Sequence, residues 1–399
     1  MRKTCGVLCA LSLLFVAGTS LAQKKYSPGA SDTEIRIGQT MPYSGPISAY
    51  GMIGRAQEAY FEKINADGGI NGRKIKFISL DDGYNPAKTV EHTRRMVEQD
   101  EVLLLFNSVG TATNKSVRKY LNAKQIPQLF LAGGDSGWSD PKQFPWTIGW
   151  MPSYREEAKL YARHILKNRP NAKVGALYLN DDFGKDYLAG FKEGLGDKAA
   201  SMLVLAEPYE MFYATVDSQV VALKAAGVDT LFTATAGKHA AQALRKIWDI
   251  GWKPAIYTAV PAASPRTVLE PAGAHHAVGM ITAYYAKDAT NPVLQDDPAV
   301  KQYFAWAKKH FRLDPTDGIA AYGYQMAQVL EYVLRKCGDD LTRENVMRVA
   351  TSMQDVEFPM LPPGVKASTS PTDYRPIEQF VLSRFDGKRW QAISEVMAP

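Results

Sequence analysis

Short apolar runs alternate with longer amphipathic runs along most of the chain, and this alternation limits the fold more than any other feature of the sequence. The short runs are β-branched or apolar, as in Val174–Leu179 and Thr230–Ala234, and are typical of strands. The longer runs repeat apolar residues at helical spacing, as in Met52–Ala66. Strands that alternate with helices pair in parallel, so the pattern predicts parallel sheets with helices on both faces.

The predicted elements cover most of the chain. A proline-rich irregular stretch at Phe358–Pro376 and a hairpin-like run ending near Ile393 close it. The predicted strands are Ile35–Gln39, Lys74–Leu80, Val102–Asn107, Gln128–Leu131, Val174–Leu179, Met202–Leu205, Thr230–Ala234, Ala255–Thr258 and Gly279–Ala283. The predicted helices are Met52–Ala66, Ala87–Gln99, Asn114–Lys124, Arg155–Lys167, Asp186–Leu195, Thr215–Ala226, Ala240–Asp249, Ala299–His310, Gly318–Arg335 and Arg343–Thr351.

The alternation restarts near the middle of the sequence. A first series of elements runs to about Trp146, and a second begins after Pro145–Pro152, which is typical of a crossing between lobes. A chain of 399 residues is also too long for one ordinary core. The fold class is therefore expected to be α/β, with two doubly wound parallel-sheet lobes joined by several crossings.

The amino terminus has the features of a secretory signal peptide. Arg2 and Lys3 precede an apolar run, and the small residues in Ser20-Leu-Ala22 suit cleavage before Gln23. The apolar run is shorter than the roughly 20 residues that span a bilayer. Residues 1–22 are therefore expected to be removed. Only Cys337 then remains, so no internal disulfide is expected.

The charged residues show no pattern that fits nucleic acid. The formal net charge is +6, and basic residues interleave with acidic ones along the predicted helices. The sequence has neither a long run of like charges nor a basic stretch interleaved with aromatic residues. No nucleic-acid partner is expected.

Familiar catalytic motifs are missing from the sequence. It has no G-x-S-x-G elbow, Walker loop, H-E-x-x-H motif or paired C-x-x-C. Asp81 and Asp82 could act as acid and base, but acids before a predicted helix more often cap it. His275-His276 has no acid or cysteine at ligand spacing. We therefore expect no enzymatic activity, no metal site and no cofactor.

The loop Tyr43–Gly51 is the first candidate for a ligand site. It joins a predicted strand to a predicted helix, and in parallel sheets such loops line the crevice where ligands bind. The helix amino terminus that follows offers unpaired N–H groups to an anion. An ordinary strand–helix connection remains the alternative for this segment alone.

Five segments together carry a family resemblance: Asp32–Gly38, Tyr43–Gly51, Ile64–Gly72, Leu80–Pro86 and Tyr178–Gly184. In this order they resemble the periplasmic solute-binding proteins of branched-chain amino-acid ABC transporters, the leucine/isoleucine/valine-binding group. The resemblance covers nearly the whole mature chain. It implies the type I periplasmic binding fold, three hinge crossings, and a ligand held in the cleft by lobe closure.

The resemblance also implies a division of the chain. The N-terminal lobe is expected to comprise residues 33–150 plus 285–356, and the C-terminal lobe residues 151–284 plus 357–399. The crossings then lie near Trp150–Pro152, Ala283–Tyr285 and Val356–Pro359. The implied location is the periplasm, and the implied partners are a small-molecule ligand and an inner-membrane ABC permease. A monomer is expected.

The family's binding segments match named positions of this sequence. The carboxylate-binding segment after the third strand resembles Gly110-Thr111-Ala112-Thr113, with Thr111 at the contacting position. The partner segment after the fourth strand resembles Ala132-Gly133-Gly134, whose backbone N–H groups would face the ligand. Tyr50 resembles the aromatic residue of the first loop, and Phe183 that of the second lobe. A buried loop contact without a ligand is the alternative for each.

Departures from the family pattern bear on the ligand. Amino-acid-binding members place an acid near the position of Val260, where it pairs with the ligand's ammonium. The family's second-lobe aromatic residue is likewise replaced, within Thr235–His239. A buried ammonium without a carboxylate partner costs several kcal/mol. The positions suit an anionic head at Thr111 and an apolar body, with candidate aromatic walls at Tyr50, Trp150, Tyr154, Phe183 and Tyr257.

The sequence therefore predicts a transport receptor for a small carboxylate without an α-ammonium, with aromatic carboxylates included in this class. Binding of a branched-chain or other amino acid by the same mechanism is the alternative. An enzyme that acts on a small carboxylate in the same cleft is disfavoured, because no nucleophile with a base, metal cluster or cofactor fingerprint is recognised.

Overall fold

The computed structural model describes residues 24–316 and 318–398, so the predicted signal peptide at residues 1–22 lies outside the described residues. The strands are β1 (Lys25–Tyr26), β2 (Glu34–Met41), β3 (Lys74–Asp81), β4 (Leu104–Phe106), β5 (Gln128–Leu131), β6 (Thr147–Gly149), β7 (Val174–Leu179), β8 (Leu203–Tyr209), β9 (Thr230–Ala234), β10 (Ala255–Thr258), β11 (Ile281–Tyr284), β12 (Asp340–Leu341), β13 (Val381–Phe385) and β14 (Trp390–Ala392). The α-helices are α1 (Gly51–Ala66), α2 (Pro86–Glu98), α3 (Thr111–Ala123), α4 (Tyr154–Asn168), α5 (Asp182–Leu195), α6 (Ala199–Met202), α7 (Asp217–Ala225), α8 (Lys238–Asp249), α9 (Glu270–Ala272), α10 (Pro298–His310), α11 (Gly318–Cys337) and α12 (Arg343–Ala350).

The first sheet has five parallel strands in the order β3-β2-β4-β5-β6. Its strands β4 and β5 are fully buried and, apart from Gln128, apolar, because helices cover both faces of a parallel sheet. Helices α1 and α11 pack on one side, and α2 and α3 lie against each other. The strand order reverses beside β2, which creates a crevice at the carboxyl ends of the strands.

The second sheet has seven strands in the order β14-β13-β11-β10-β9-β7-β8. The strands from β7 to β11 pair in parallel, whereas the carboxyl-terminal hairpin of β13 and β14 joins antiparallel to β11. Helices α4 and α5 pack closely together beside this sheet. The predicted α/β class with parallel sheets is confirmed.

Most predicted elements coincide with observed ones. The strands at Gln128–Leu131, Val174–Leu179, Thr230–Ala234 and Ala255–Thr258 have the predicted bounds. Strand β6 was not predicted, since its three residues lie inside the proline-flanked segment that was interpreted as a crossing. Strand β4 begins at Leu104 instead of Val102, and it ends one residue before the predicted Asn107 because that residue adopts a positive φ of 49° and leaves the extended conformation.

Two large apolar cores lie against the two sheets. Trp150 lies in the first core and Tyr154 in the second, whereas Ala283 lies in the second and Tyr285 in the first. The segment from Phe358 to Ile377, which the sequence assigned to the C-terminal lobe, packs in the first core instead. Its irregular backbone buries Met360, Leu361 and Val365 against helices of that lobe, so composition could not assign it. The chain reaches the second core at Phe380.

The helices of residues 24–316 and 318–398 were also compared with the length and apolarity that a bilayer requires. None of them is long and apolar enough to cross a membrane.

Candidate functional site

A cavity of about 180 Å³ lies between the two lobes, at the carboxyl ends of strands from both sheets. Its wall is mostly apolar and aromatic, with a few polar groups from loops and helix starts. The lining residues are Ile47, Tyr50, Ile53, Tyr84, Val109, Gly110, Thr111, Ala132, Met151, Tyr154, Leu179, Phe183, Met211, Ala236, Val260, Pro261, Ser264, Pro265, Tyr284, Tyr285, Ala286, Lys287, Asp288, Gly318, Ile319 and Tyr322.

Direct contacts join the lobes around this cavity. The Tyr50 hydroxyl donates to the Pro261 carbonyl at 2.6 Å, and the Tyr84 hydroxyl donates to Asp181 Oδ2 at 2.8 Å. At the rim, Ser136 donates to Asp186 through both its N–H and its hydroxyl, each at 2.8 Å. These bonds can exist only while the lobes are close together. The structure therefore shows the two lobes in direct contact around the cavity.

Lys115 adds an ionic contact across the same rim. Its Nζ lies 2.8 Å from Asp135 Oδ2 in its own lobe and 3.3 Å from Asp182 Oδ1 in the other lobe. Burial raises the pKa of the Asp135 carboxyl, and the nearby Lys115 ammonium offsets part of that rise. The Lys115 ammonium thus pairs with the buried carboxylate of Asp135 in its own lobe and with the exposed carboxylate of Asp182 in the other lobe.

Thr111 is the first residue of α3 and supplies a polar group to the cavity wall. Its side chain is 1% exposed, and its Oγ1 has no hydrogen-bond partner within the described residues. No side chain caps the start of α3, so the N–H groups of its first turn are also uncapped by side chains. Gly110 precedes it with a φ of 108°, and a Cβ there would meet the Tyr84 ring. A helix start and a free hydroxyl are therefore presented together at the cavity.

Ala132, Gly133 and Gly134 follow β5 and form the layer beside Thr111. Ala132 lines the cavity, but Gly133 and Gly134 are not among the lining residues. A Cβ on Gly133 would lie 3.2 Å from the Tyr154 hydroxyl and 3.8 Å from Thr111 Oγ1. A Cβ on Gly134 would collide with the Pro152 carbonyl and the Tyr154 ring, and the Gly134 carbonyl accepts from the Tyr154 N–H at 2.7 Å. The two glycines thus allow Tyr154 to approach Thr111.

Tyr154 and Phe183 form one aromatic wall of the cavity. Their rings meet edge to face with centroids 5.1 Å apart, and Tyr187 stacks on Tyr154 from behind at 4.4 Å. Asp181 fixes Phe183 by capping α5, because its Oδ1 accepts from the N–H groups of Phe183 and Gly184. Burial raises the pKa of the Asp181 carboxyl, and the Tyr84 hydroxyl and these N–H groups oppose that rise.

Val260 lines the cavity as an apolar residue, and an acid lies directly behind it. The Val260 N–H donates to Glu157 Oε1 at 2.9 Å, and the hydroxyls of Tyr161 and Tyr187 donate to the same carboxyl at 2.7 Å each. Glu157 is 2% exposed and does not line the cavity. Burial raises its pKa to about 7, against the opposing effect of the three donors. This carboxyl holds the backbone of the wall and does not reach the ligand space.

His239 lies apart from the cavity wall. It is fully buried on α8, its Nε2 lies 2.8 Å from the Tyr213 carbonyl oxygen, and its ring lies against Tyr209 at 4.8 Å. Burial lowers the pKa of its imidazole. Of the predicted site residues, the structure brings Tyr50, Thr111, Ala132, Tyr154, Phe183 and Val260 to the cavity, and leaves Gly133, Gly134 and His239 behind it.

The sequence analysis missed the polar part of the wall that follows the second crossing. Lys287 and Asp288 line the cavity, and the Lys287 ammonium pairs with Asp297 at 2.8 Å. Asp288 Oδ1 accepts from the N–H and hydroxyl of Thr290. The available signal was a charged pair one residue after the aromatic pair Tyr284-Tyr285. Tyr322 on α11 was also missed, because a tyrosine in an amphipathic helix is usually a core residue.

The remaining candidates have structural roles. Asp81 and Asp82 accept hydrogen bonds from the backbone of the loop before α2, and Asn85 caps that helix. His275 and His276 lie against Trp248 on the surface. Within residues 24–316 and 318–398, no three acidic, histidine or cysteine side chains form a metal-binding group.

Comparisons with known proteins agree with this geometry. Residues 34–389 match the family model described as periplasmic binding protein. A Leu/Ile/Val-binding protein homolog 7 of Brucella abortus (strain 2308) is 22% identical over 328 residues, which cover 79% of this chain and 81% of that protein.

Solved structures extend the comparison. A branched-chain amino acid ABC transporter protein of Thermus thermophilus with bound valine has a TM-score of 0.82 at 18% identity, covering 92% of this chain and 97% of its own. A solute binding protein of Rhodopseudomonas palustris in complex with benzoate has a TM-score of 0.75 at 18% identity, covering 92% and 98%. At these identities the likeness shows the fold.

Proposed function

The chain belongs to the periplasmic binding protein family, and from this premise we propose that it delivers a small carboxylate without an α-ammonium to an inner-membrane ABC permease. Proteins of this family are the substrate-binding components of ABC transporters. The proposed ligand has an anionic head at Thr111 and a compact apolar or aromatic body. We further propose that the chain reaches the periplasm through cleavage of residues 1–22 and acts as a monomer.

The unpartnered hydroxyl of Thr111 is the observation that carries this proposal. A buried polar atom without a hydrogen bond costs about 1–3 kcal/mol, so a ligand acceptor at this point restores a bond that the protein lacks. The uncapped start of α3 favours a negative charge at the same place. A carboxylate satisfies both requirements.

The cavity wall supports an apolar body for the ligand. An apolar cavity of about 150 Å³ holds a molecule of benzene size, and the cavity here is about 180 Å³. Tyr154 and Phe183 offer ring faces and edges, and Val260 offers an alkyl group where amino-acid-binding members have an acid. The benzoate complex of the R. palustris protein supports an aromatic carboxylate as one member of the proposed class.

Amino-acid binding remains the second candidate, because Asp288 lines the cavity. Its carboxylate could pair with an ammonium group, although its Oδ1 already accepts two bonds from Thr290. The valine complex of the T. thermophilus protein and the Leu/Ile/Val-binding homologue in Brucella also support this candidate. Catalysis on a small carboxylate is disfavoured, because the cavity wall does not place a nucleophile beside a base.

We propose two lobes that open and close about three crossings. Core packing supports one lobe of residues 33–150 plus 285–377 and another of residues 151–284 plus 378–399. In this division the third crossing lies between Ile377 and Phe380. The ligand contacts groups from both lobes only in the closed form, so binding shifts the equilibrium towards closure.

A thermal-shift panel tests the ligand class. Benzoate, pentanoate and leucine are each added to the folded protein, since a ligand at 100 times its dissociation constant adds about 2.7 kcal/mol of stability. We expect stabilisation by the carboxylates and little by leucine. Stabilisation by leucine with none by the carboxylates would reject the proposed class in favour of the second candidate.

Thr111→Val tests the head group. The change keeps the shape and removes one charge-assisted hydrogen bond, so we expect a loss of about 1.5–3 kcal/mol in binding, measured by calorimetry. Thr113→Val is the matched control, because the Thr113 hydroxyl donates to the Val109 carbonyl at 2.9 Å within the same helix turn. The control should lower stability without altering affinity. Unchanged affinity in folded Thr111→Val would place the carboxylate elsewhere.

A further inference from the structure

A chain of buried side-chain hydrogen bonds crosses the first lobe and ends at the cavity. The Gln39 amide donates to Gln57 Oε1 at 2.6 Å, and the Gln57 amide donates to Asn107 Oδ1 at 2.8 Å. The Asn107 amide then donates to the hydroxyl of Tyr322 at 3.1 Å. Gln39, Gln57 and Asn107 are all fully buried. No solvent is therefore available to these groups, and each bond of the chain matters.

Backbone carbonyls fix the direction of this chain. Gln39 Nε2 also donates to the Phe106 carbonyl at 3.1 Å, and Asn107 Nδ2 donates to the Phe130 carbonyl at 2.6 Å. A carbonyl oxygen can face only the nitrogen end of an amide, so neither amide can be reversed. The Ser79 hydroxyl donates to Gln39 Oε1 at 2.8 Å, which agrees with the same orientation.

The fixed orientation of the Asn107 amide determines which hydrogen bonds the Tyr322 hydroxyl can make. Its hydroxyl oxygen accepts from Asn107, so its single proton remains available for donation to another group. Among residues 24–316 and 318–398 the hydroxyl makes no second hydrogen bond, and Tyr322 lines the cavity. Burial raises the pKa of the Tyr322 phenol, so the group stays protonated at neutral pH. The hydroxyl is therefore a donor that the protein orients and leaves available.

We propose that the Tyr322 hydroxyl donates a hydrogen bond to a second oxygen acceptor on the bound carboxylate, and so selects ligands with an oxygen substituent away from the carboxylate group. This inference rests on the proposed function. The carboxylate itself already has matching donors in the Thr111 hydroxyl and the first turn of α3. Tyr322 lies on α11, a different element of the cavity wall, and its donor serves a second group. Gln39, Gln57 and Asn107 are positioning residues in this scheme.

Calorimetry with three ligand pairs tests the inference. The pairs are pentanoate with 4-oxopentanoate, benzoate with 3-hydroxybenzoate, and benzoate with 4-hydroxybenzoate. We expect the wild-type protein to prefer the oxygen-bearing member of at least one pair. Tyr322→Phe should remove that preference through a roughly 3- to 12-fold loss of affinity for the oxygen-bearing member alone. The empty variant should keep its melting temperature, because Asn107 Nδ2 retains its bond to Phe130.

Tyr84→Phe is the matched control. Tyr84 also lines the cavity, but its hydroxyl donates to Asp181 across the lobes, so its loss should weaken both members of each pair alike through the closed form. If Tyr322→Phe lowers the affinity for both members of a pair equally, or for neither, the inference is overturned and the proposed function stays intact. If no carboxylate of the panel binds the wild-type protein, the proposed function fails and the inference fails with it.

Discussion

Replacing Glu157 by Gln should change how the stability of the protein depends on pH. Glu157 is buried without a cation beside it, and its pKa is raised from the ordinary value of 4.5 to about 7. The folded protein therefore keeps a proton on this carboxyl that the unfolded chain releases above pH 4.5. The resulting stability is fully present below pH 4.5 and is lost as the pH rises through about 7.

The size of the effect follows from the two pKa values. Their difference corresponds to about 3 kcal/mol of unfolding free energy, an order-of-magnitude figure. Gln does not titrate, and its amide can still accept bonds from the Val260 N–H and the Tyr161 hydroxyl through its oxygen. The variant should therefore gain stability relative to the wild-type protein as the pH rises from 5 to 8.

Urea unfolding of both proteins at several pH values between 5 and 8 measures this difference. Other titrating groups contribute equally to both curves, so they cancel in the comparison. Glu156→Gln is a matched control, since Glu156 is on the same turn but partly exposed and paired with Lys159 at 2.7 Å. A stability difference between wild type and Glu157→Gln that stays constant across this range would refute the reasoning.

Two further predictions concern closure and the glycine layer. Phe183→Ala removes a ring that packs on Tyr154 and Tyr187, so the closed form should lose about 1.5–3 kcal/mol of stability. Small-angle scattering should then show a larger radius of gyration for the variant than for the wild type at subsaturating ligand. The same dependence of the radius on ligand concentration in both proteins would contradict this prediction. Gly134→Ala places a methyl group against the Pro152 carbonyl and the Tyr154 ring, so the free energy of unfolding should fall by about 1–3 kcal/mol. A melting temperature equal to that of the wild type would argue against this packing.

The parallel sheets could be predicted because their strands are short, apolar and separated by amphipathic helices. The bounds of β5, β7, β9 and β10 match, since polar residues flank β7 and β9 at both ends, and β5 and β10 each begin directly after a proline. The path of Phe358–Ile377 could not be predicted, because its apolar residues have no period and bury themselves individually in the first core. Its lobe is decided by tertiary packing alone.

The candidate site also contains some residues that the sequence could predict and others that it could not. Thr111 and Phe183 were expected at the site from the family resemblance, and both lie at helix starts that follow strands, although the helices begin earlier than the sequence pattern predicted. His239 sits at an equivalent helix start, but its ring turns towards Tyr209, and rotamers of this kind are not encoded in local pattern. The donor role of Tyr322 depends on Gln39, Gln57 and Asn107, which come from three separate elements. Such a network is visible only after the chain has folded.

The position of β13 has a consequence for the order of events during synthesis. This strand covers the outer edge of β11, yet it is synthesised only after helices α10, α11 and α12, which lie between the two strands in the chain. Until then β11 presents an unpaired edge, which is a template for association with other chains. The second sheet can therefore be completed only after β13 has been made, and a chain that stops before Val381 should be prone to aggregate, because it lacks both the covering strand and the core residues Leu382, Phe385 and Trp390.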